Sequence, residues 1–418
     1  MRQLLKTTAV ALSLSLLPFA AGAETVAITG GKLLTMGKSG TIENGTVLIE
    51  DGKIKQVGAE VKVPDGARVI DASGKVVAPG FMESATLIGL SEISLTKDSN
   101  NHSAKDAPFS AAFDVRYGIN PDTVEVANHR NEGLTRTVAV PSGSGHLFSG
   151  GSAVLSLSGT PDVKKGPIIA SLSDGGNASV AWTRLRIILD QVKAYAKDRS
   201  DILNGKGRNQ FLLSYEDMDA LIPVIRGDRK LGLELQRKAD ILQAIALKEE
   251  YDLDLFLIGV PEAWKVADEL AAADMPVVID AQADLPYKFT SLGSTLHNAA
   301  RLEQAGVTFA ISSLGEAHRA YLISQWAGLA VAHGLSYDGA LRAITVNPAK
   351  IYGIDDSYGS LEKGMDADVV VWDGDPLEVT SNPDHIFVQG VEYPRVSRKT
   401  MLRDRYLKLD PDMPHAYQ

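Results

Sequence analysis

Between residues 26 and 77, apolar and polar positions alternate in short runs such as Val26-Ala27-Ile28, Thr46-Val47-Leu48-Ile49 and Ile54-Lys55-Gln56-Val57. The runs are separated by turn formers, Gly30-Gly31, Asp51-Gly52 and Asp71-Ala72-Ser73-Gly74. Alternation of period two bounded by such residues predicts a small antiparallel β unit. Its strongest hairpin signal is Glu50-Asp51-Gly52-Lys53, because Asp-Gly tolerates the left-handed conformation a two-residue turn requires. From residue 75 to about 347 the texture changes. Short apolar runs such as 253–258 and 275–279 alternate with amphipathic stretches such as 262–272. Repeated strand-then-helix units predict a parallel sheet with helices outside it, open or closed into a barrel. Val180, Leu185, Ile188, Leu189 and Val192 mark one helical core face, and Ile241, Ile245 and Leu247 another. The polar, Gly-containing stretch 197–210 reads as a surface loop. After Asn347-Pro348 the β texture returns at 367–372 and 386–391. Two β segments flanking one α/β block predict a composite β domain built from both chain ends.

Composition narrows the chemistry. The 418 residues are 44% apolar and 22% charged, the profile of an ordinary globular chain and not of a disordered one. Forty-two basic against 52 acidic residues give a net charge of −10, which argues against a nucleic-acid partner. There is no cysteine, so disulfides, thiolate metal sites and cysteine nucleophiles are excluded. At the N-terminus, Arg2 and Lys6 precede an apolar run over 8–21 that is too short to span a bilayer and ends in Ala21-Gly22-Ala23. This predicts a signal peptide over 1–23, cleavage before Glu24, and a periplasmic or secreted protein without a membrane anchor. The expected units are then 24–77 for the N-terminal part of the β domain, 78–358 for the α/β block, and 359–418 for the C-terminal part of the β domain and a tail.

The run ALRAITVNPAKIYGIDDSYGSLEKGMDADVVVWDGDPLE over 340–378 resembles the end of the amidohydrolase superfamily in its imidazolonepropionase-like branch. GKVVAPGFMES over 74–84, EGLTRTVAV over 132–140 and PEAWKVADELA over 261–271 are similar to other segments of that family. The resemblance implies a distorted (β/α)8 TIM-type barrel beside a small composite β-sandwich domain formed by both chain ends. It also implies hydrolysis of non-peptide C–N bonds in cyclic amides, imides or dipeptide-like substrates, with zinc or another divalent metal at the C-terminal mouth of the barrel.

The ligand positions implied by that resemblance do not hold ligand residues here. The two histidine positions after strand one become Ala85 and Leu87, the strand-six histidine becomes Gly259, and the strand-eight aspartate becomes Leu314. None of these side chains donates a lone pair to a metal. Only Glu234, at the strand-five position, can coordinate, so no metal cofactor is expected. The remaining candidates for the barrel mouth are Glu83, His146 in a Gly-rich loop, and Asp280, which shares strand parity with Gln282. His318 reads as a helix-surface residue. No two of the eight histidines stand at i, i+2 or i, i+4, and no nucleophile elbow, dinucleotide fingerprint or P-loop occurs. Three functions stay open: an exported amidohydrolase-type hydrolase, a non-catalytic relative binding a small ligand at the mouth or partnering an active homologue as a homo- or hetero-oligomer, and a metal-free hydrolase using carboxylates.

Overall fold

The computed structural model describes residues 24–93, 96–143, 145–172, 177–206, 210–315 and 317–407. The proposed signal segment 1–23 lies outside the described residues, as do Glu316 and the tail after 407. Among the described residues no helix is long and apolar enough to cross a membrane.

Five N-terminal strands, β1 (Val26–Leu34), β2 (Thr41–Glu50), β3 (Lys53–Gly58), β4 (Arg68–Asp71) and β5 (Val76–Pro79), come first. The barrel follows as β6 (Phe81–Thr86), β7 (Leu134–Ala139), β8 (Phe148–Ser156), β9 (Val163–Ser171), β10 (Leu231–Leu235), β11 (Leu255–Gly259), β12 (Val277–Ile279) and β13 (Phe309–Ile311). The chain returns as β14 (Val369–Trp372), β15 (Pro383–Val388) and β16 (Val391–Tyr393). The N- and C-terminal strands form one eight-stranded sheet in the order β16-β15-β14-β5-β1-β2-β3, with β4 also paired to β1. The junction between the two chain ends is the antiparallel ladder of β14 on β5. Val26, Ile28, Val47 and Ile54 from one end share an apolar cluster with Ala367, Val369 and Phe387 from the other. The expected hairpin is present: Glu50 faces Lys53 across Asp51 and Gly52, both at positive φ.

The second sheet runs β6 to β13 in sequence order. Neighbours β6–β7 and β9 to β13 are parallel, whereas β8 is antiparallel to both β7 and β9. A β meander thus replaces one of the expected strand-helix units. The apolar runs are continuous because both faces are buried. Leu231, Leu233, Leu255, Leu257, Val277 and Phe309 face the helices, while Met82, Val138, Ile169, Phe256, Ile258, Val278 and Ala310 fill the interior. Gly232 makes that filling possible: a Cβ there would stand 2.6 Å from the Phe256 ring. Residues from Ala349 to Tyr358 add Ile351, Tyr352 and Tyr358 to the same interior cluster.

No ladder joins β13 to β6. Segment 343–344 bridges the gap. Ile311 N–H donates to the Ala343 carbonyl at 3.0 Å and Met82 N–H to the Ile344 carbonyl at 2.9 Å. Unpaired edge groups are satisfied this way without a direct strand pair.

Two local expectations change. The helix Ala178–Leu203 continues through the stretch read as a loop, bent at Asp198, so only residues beyond 203 leave it. Its polar residues are a solvated face, anchored by buried Ile202 and by Arg199, whose guanidinium makes two bonds of 2.6 and 2.7 Å to Asp219 on the helix Tyr215–Ile225. Val180 is 61% exposed, and not part of the core face. Five residues of helix rotate it by roughly 140° from Leu185.

Candidate functional site

The C-terminal ends of the barrel strands converge on a cavity of about 180 Å³. Ala85 from the end of β6, Glu234 from β10, Gly259 from β11 and Leu314 after β13 all line it. Four of the five positions read as former metal-ligand positions therefore meet at one place. Leu87 does not join them. Strand β6 ends at Thr86 and is irregular between Glu83 and Thr86, so the two-residue alternation breaks before position 87. Leu87 instead lines a separate surface cleft with Glu125, Ala317 and exposed His318.

The cavity chemistry is mixed. Glu234 is half-buried, and Gln236, Ser142 and exposed Lys288 complete the polar wall. Ser142 is held in place by its backbone N–H, which donates to the His102 carbonyl at 2.9 Å, and by its hydroxyl, 3.1 Å from His102 Nδ1. Gly259 adopts φ 91° and Leu314 φ 50°, so the strand-six and strand-eight ends both turn through the left-handed region. A non-glycine residue there costs roughly 1–2 kcal/mol, which Leu314 bears. Its N–H donates to Ser312 Oγ at 3.1 Å.

Glu83 lies beneath this cavity and does not line it. It is fully buried, and its carboxylate accepts from Ala85 N–H at 3.2 Å, from Ser313 N–H at 3.1 and 3.2 Å, and from the Ser312 hydroxyl. Ser312 and Ser313 follow β13, so Glu83 on β6 fastens the seam where the barrel has no ladder. Burial pushes its pKa up to about 7, against the opposing pull of the hydrogen bonds. Tyr352, whose hydroxyl donates to the Ser84 carbonyl, has its own pKa raised by burial and by the Glu83 charge.

The other two mouth candidates stand apart. His146 is exposed on its loop, and neither it nor Asp280 is among the cavity-lining residues. Asp280 Oδ1 accepts from Gln282 N–H at 2.9 Å, the bond of an ordinary strand-end turn. The sequence reading missed Ser142, Tyr287 and Lys288. The available signal was position: each follows a barrel strand on the mouth side, where this architecture collects functional groups.

The donor set does not fit the divalent metal that the family resemblance implies. Ala85, Gly259 and Leu314 offer no side-chain donor, and Lys288 adds a positive charge that repels a cation in the same cavity. Among the described residues no three His, Asp or Glu side chains converge anywhere. One carboxylate and neutral amide or hydroxyl groups fall short of the three or four strong ligands zinc takes.

Comparison with known proteins agrees with the architecture. The Amidohydrolase family model matches residues 263–401. Amidohydrolase tasK of Hapsidospora irregularis is 22% identical over 83% of this chain, which spans only 39% of that protein's length. Dihydroorotase of Pelotomaculum thermopropionicum is 24% identical over 88% of this chain and 92% of its own. The crystal structure of an amidohydrolase from Thermotoga maritima superposes with a TM-score of 0.77 at 26% identity, covering 89% of this chain and all of that one. The chain thus shares its fold with that amidohydrolase structure, and its residues 263–401 match the Amidohydrolase family model.

Proposed function

We propose that this protein is an amidohydrolase-type hydrolase scaffold that binds a small polar molecule of the amide class at the barrel mouth and has lost the family's metal-activated water. The observation that carries this reading is the retained cavity, with Glu234, Gln236, Ser142 and Lys288 on its wall and donor-free Ala85, Gly259 and Leu314 at the former ligand positions. A carboxylate and an ammonium group beside an amide and a hydroxyl suit a ligand with both hydrogen-bond donors and acceptors, such as a cyclic amide, an imide or a dipeptide. Metal-free hydrolysis by paired carboxylates is disfavoured. Glu83 is fully buried and Asp280 is not among the cavity-lining residues, so Glu234 is the one carboxylate on the described cavity wall.

The test is a panel of cyclic amides, imides and dipeptides, screened for binding to the wild-type protein and Glu234→Gln, and for bond cleavage with and without added zinc. The expected result is saturable binding, weakened by Glu234→Gln, with no zinc-stimulated turnover. Turnover that rises with zinc and disappears with a chelator would overturn the proposal, as would the absence of any binding across the panel.

A further inference from the structure

Two histidines far apart in sequence share a groove outside the barrel mouth. His297 immediately precedes the helix Asn298–Gln304, and His333 immediately follows the helix Ile323–Ala332. Their ring centres are 5.6 Å apart, with the planes inclined at 68°. Ala300, Arg301, Gln304, Ala332 and Gly334 complete a groove of about 440 Å³ that both rings line.

The hydrogen bonds fix the tautomers. His297 Nδ1 lies 2.9 Å from the His333 carbonyl oxygen, and His333 Nδ1 lies 2.9 Å from the Leu329 carbonyl oxygen. A carbonyl oxygen only accepts, so both Nδ1 atoms carry a proton, and in the neutral rings the lone pair is on both Nε2 atoms. A backbone carbonyl on one ring nitrogen is the usual support of a histidine that ligates through the other. The spacing is also suitable. With metal–nitrogen bonds of about 2.0–2.1 Å, two imidazoles on one tetrahedral ion place their ring centres roughly 5 Å apart. The observed 5.6 Å needs only a somewhat wider angle at the ion.

We propose that His297 and His333 form a two-nitrogen site for a borderline divalent transition ion, zinc or copper(II), with Gln304 and water filling the other positions. Imidazole ligands favour these ions over magnesium or calcium, which take oxygen donors. The last turn of the helix Ile323–Ala332 contributes partial negative charge from its carbonyl groups. The opposing charge in the groove is Arg301, whose guanidinium lies 4.1 Å from the centre of the Trp264 ring, on which it stacks. With two imidazoles and one weak amide oxygen the ion exchanges readily. This site is independent of the barrel-mouth reading.

The experiment uses the full, untagged protein titrated with zinc and with copper(II) by calorimetry. One ion per chain is expected, with His297→Gln and His333→Gln each weakening binding on the order of tenfold or more and His318→Gln leaving it unchanged. A second measurement needs no substitution: carbethoxylation by diethyl pyrocarbonate, mapped by mass spectrometry, should be suppressed by the metal at His297 and His333 and not at His318. Absence of binding, binding that survives both substitutions, binding abolished by Glu234→Gln, or metal that leaves His297 and His333 unprotected would overturn the proposal.

Discussion

A carboxyl group at 0% exposure with its pKa near 7 makes Glu83 the residue whose ionisation bears most directly on the barrel seam. Its folded pKa lies above the ordinary 4.5, so the native state holds an extra proton between pH 4.5 and about 7. Stability is then greatest below that window and falls as the pH rises through it, by up to roughly 3 kcal/mol. Glu83→Gln removes the titration, and its stability should be flatter than wild type between pH 5 and pH 8 in urea denaturation. Identical slopes for the two proteins would contradict the assignment. The sequence offered Glu83 as a mouth residue because it stands in the motif before the ligand positions. What it could not reveal is that Ser312 and Ser313, some 230 positions away, close over the carboxylate. That positions 85, 259 and 314 offer no side-chain donor was legible, because only residue type was needed.

At the scale of elements, the contact to watch is β7 with the segment leading into β14. Arg136 on β7 is buried, and its Nη2 donates to Asp366 at 2.8 Å and to Asp368 at 2.9 Å. Burial alone would lower the Arg136 pKa, but the Asp368 and Asp366 carboxylates hold it above its ordinary value. Removing the arginine strands the buried Asp368 carboxylate without its counter-charge, so Arg136→Ala should cost about 3–5 kcal/mol in chemical denaturation. Lys53, half-exposed and 2.6 Å from Asp366, is the contrast: Lys53→Ala should cost under about 1 kcal/mol. Comparable losses for both would show that burial does not govern this cluster. Hairpins and strands around Asp51-Gly52 were readable because their signals are local. The run past Lys197 was misread because its polar residues are the outer face of a helix whose anchors, Ile202 and the Arg199–Asp219 pair, depend on a second helix.

Across the whole molecule, the two chain ends depend on each other. Removing residues after 358 strips β14 from β5 and takes Asp366 and Asp368 from Arg136. It also exposes the apolar cluster shared by Val26, Val47 and Val369. Such a truncation should aggregate, and a soluble fragment with one sharp unfolding transition would show that the ends are separable. The change of texture from β to α/β and back made this arrangement visible in the sequence. The antiparallel β8 was not visible, because its sequence FSGGSAVLS carries three serines and two glycines and its start reads as the Gly-rich loop that holds His146. The central claim is that a barrel mouth of this architecture has been kept as a pocket without its metal centre. Anomalous diffraction at the zinc edge, from crystals grown with zinc, tests it most directly. The account predicts no peak in the cavity bounded by Ala85, Glu234, Gly259 and Leu314, whatever binds elsewhere; a peak there, held by Glu234 and two or more further protein ligands, would contradict it.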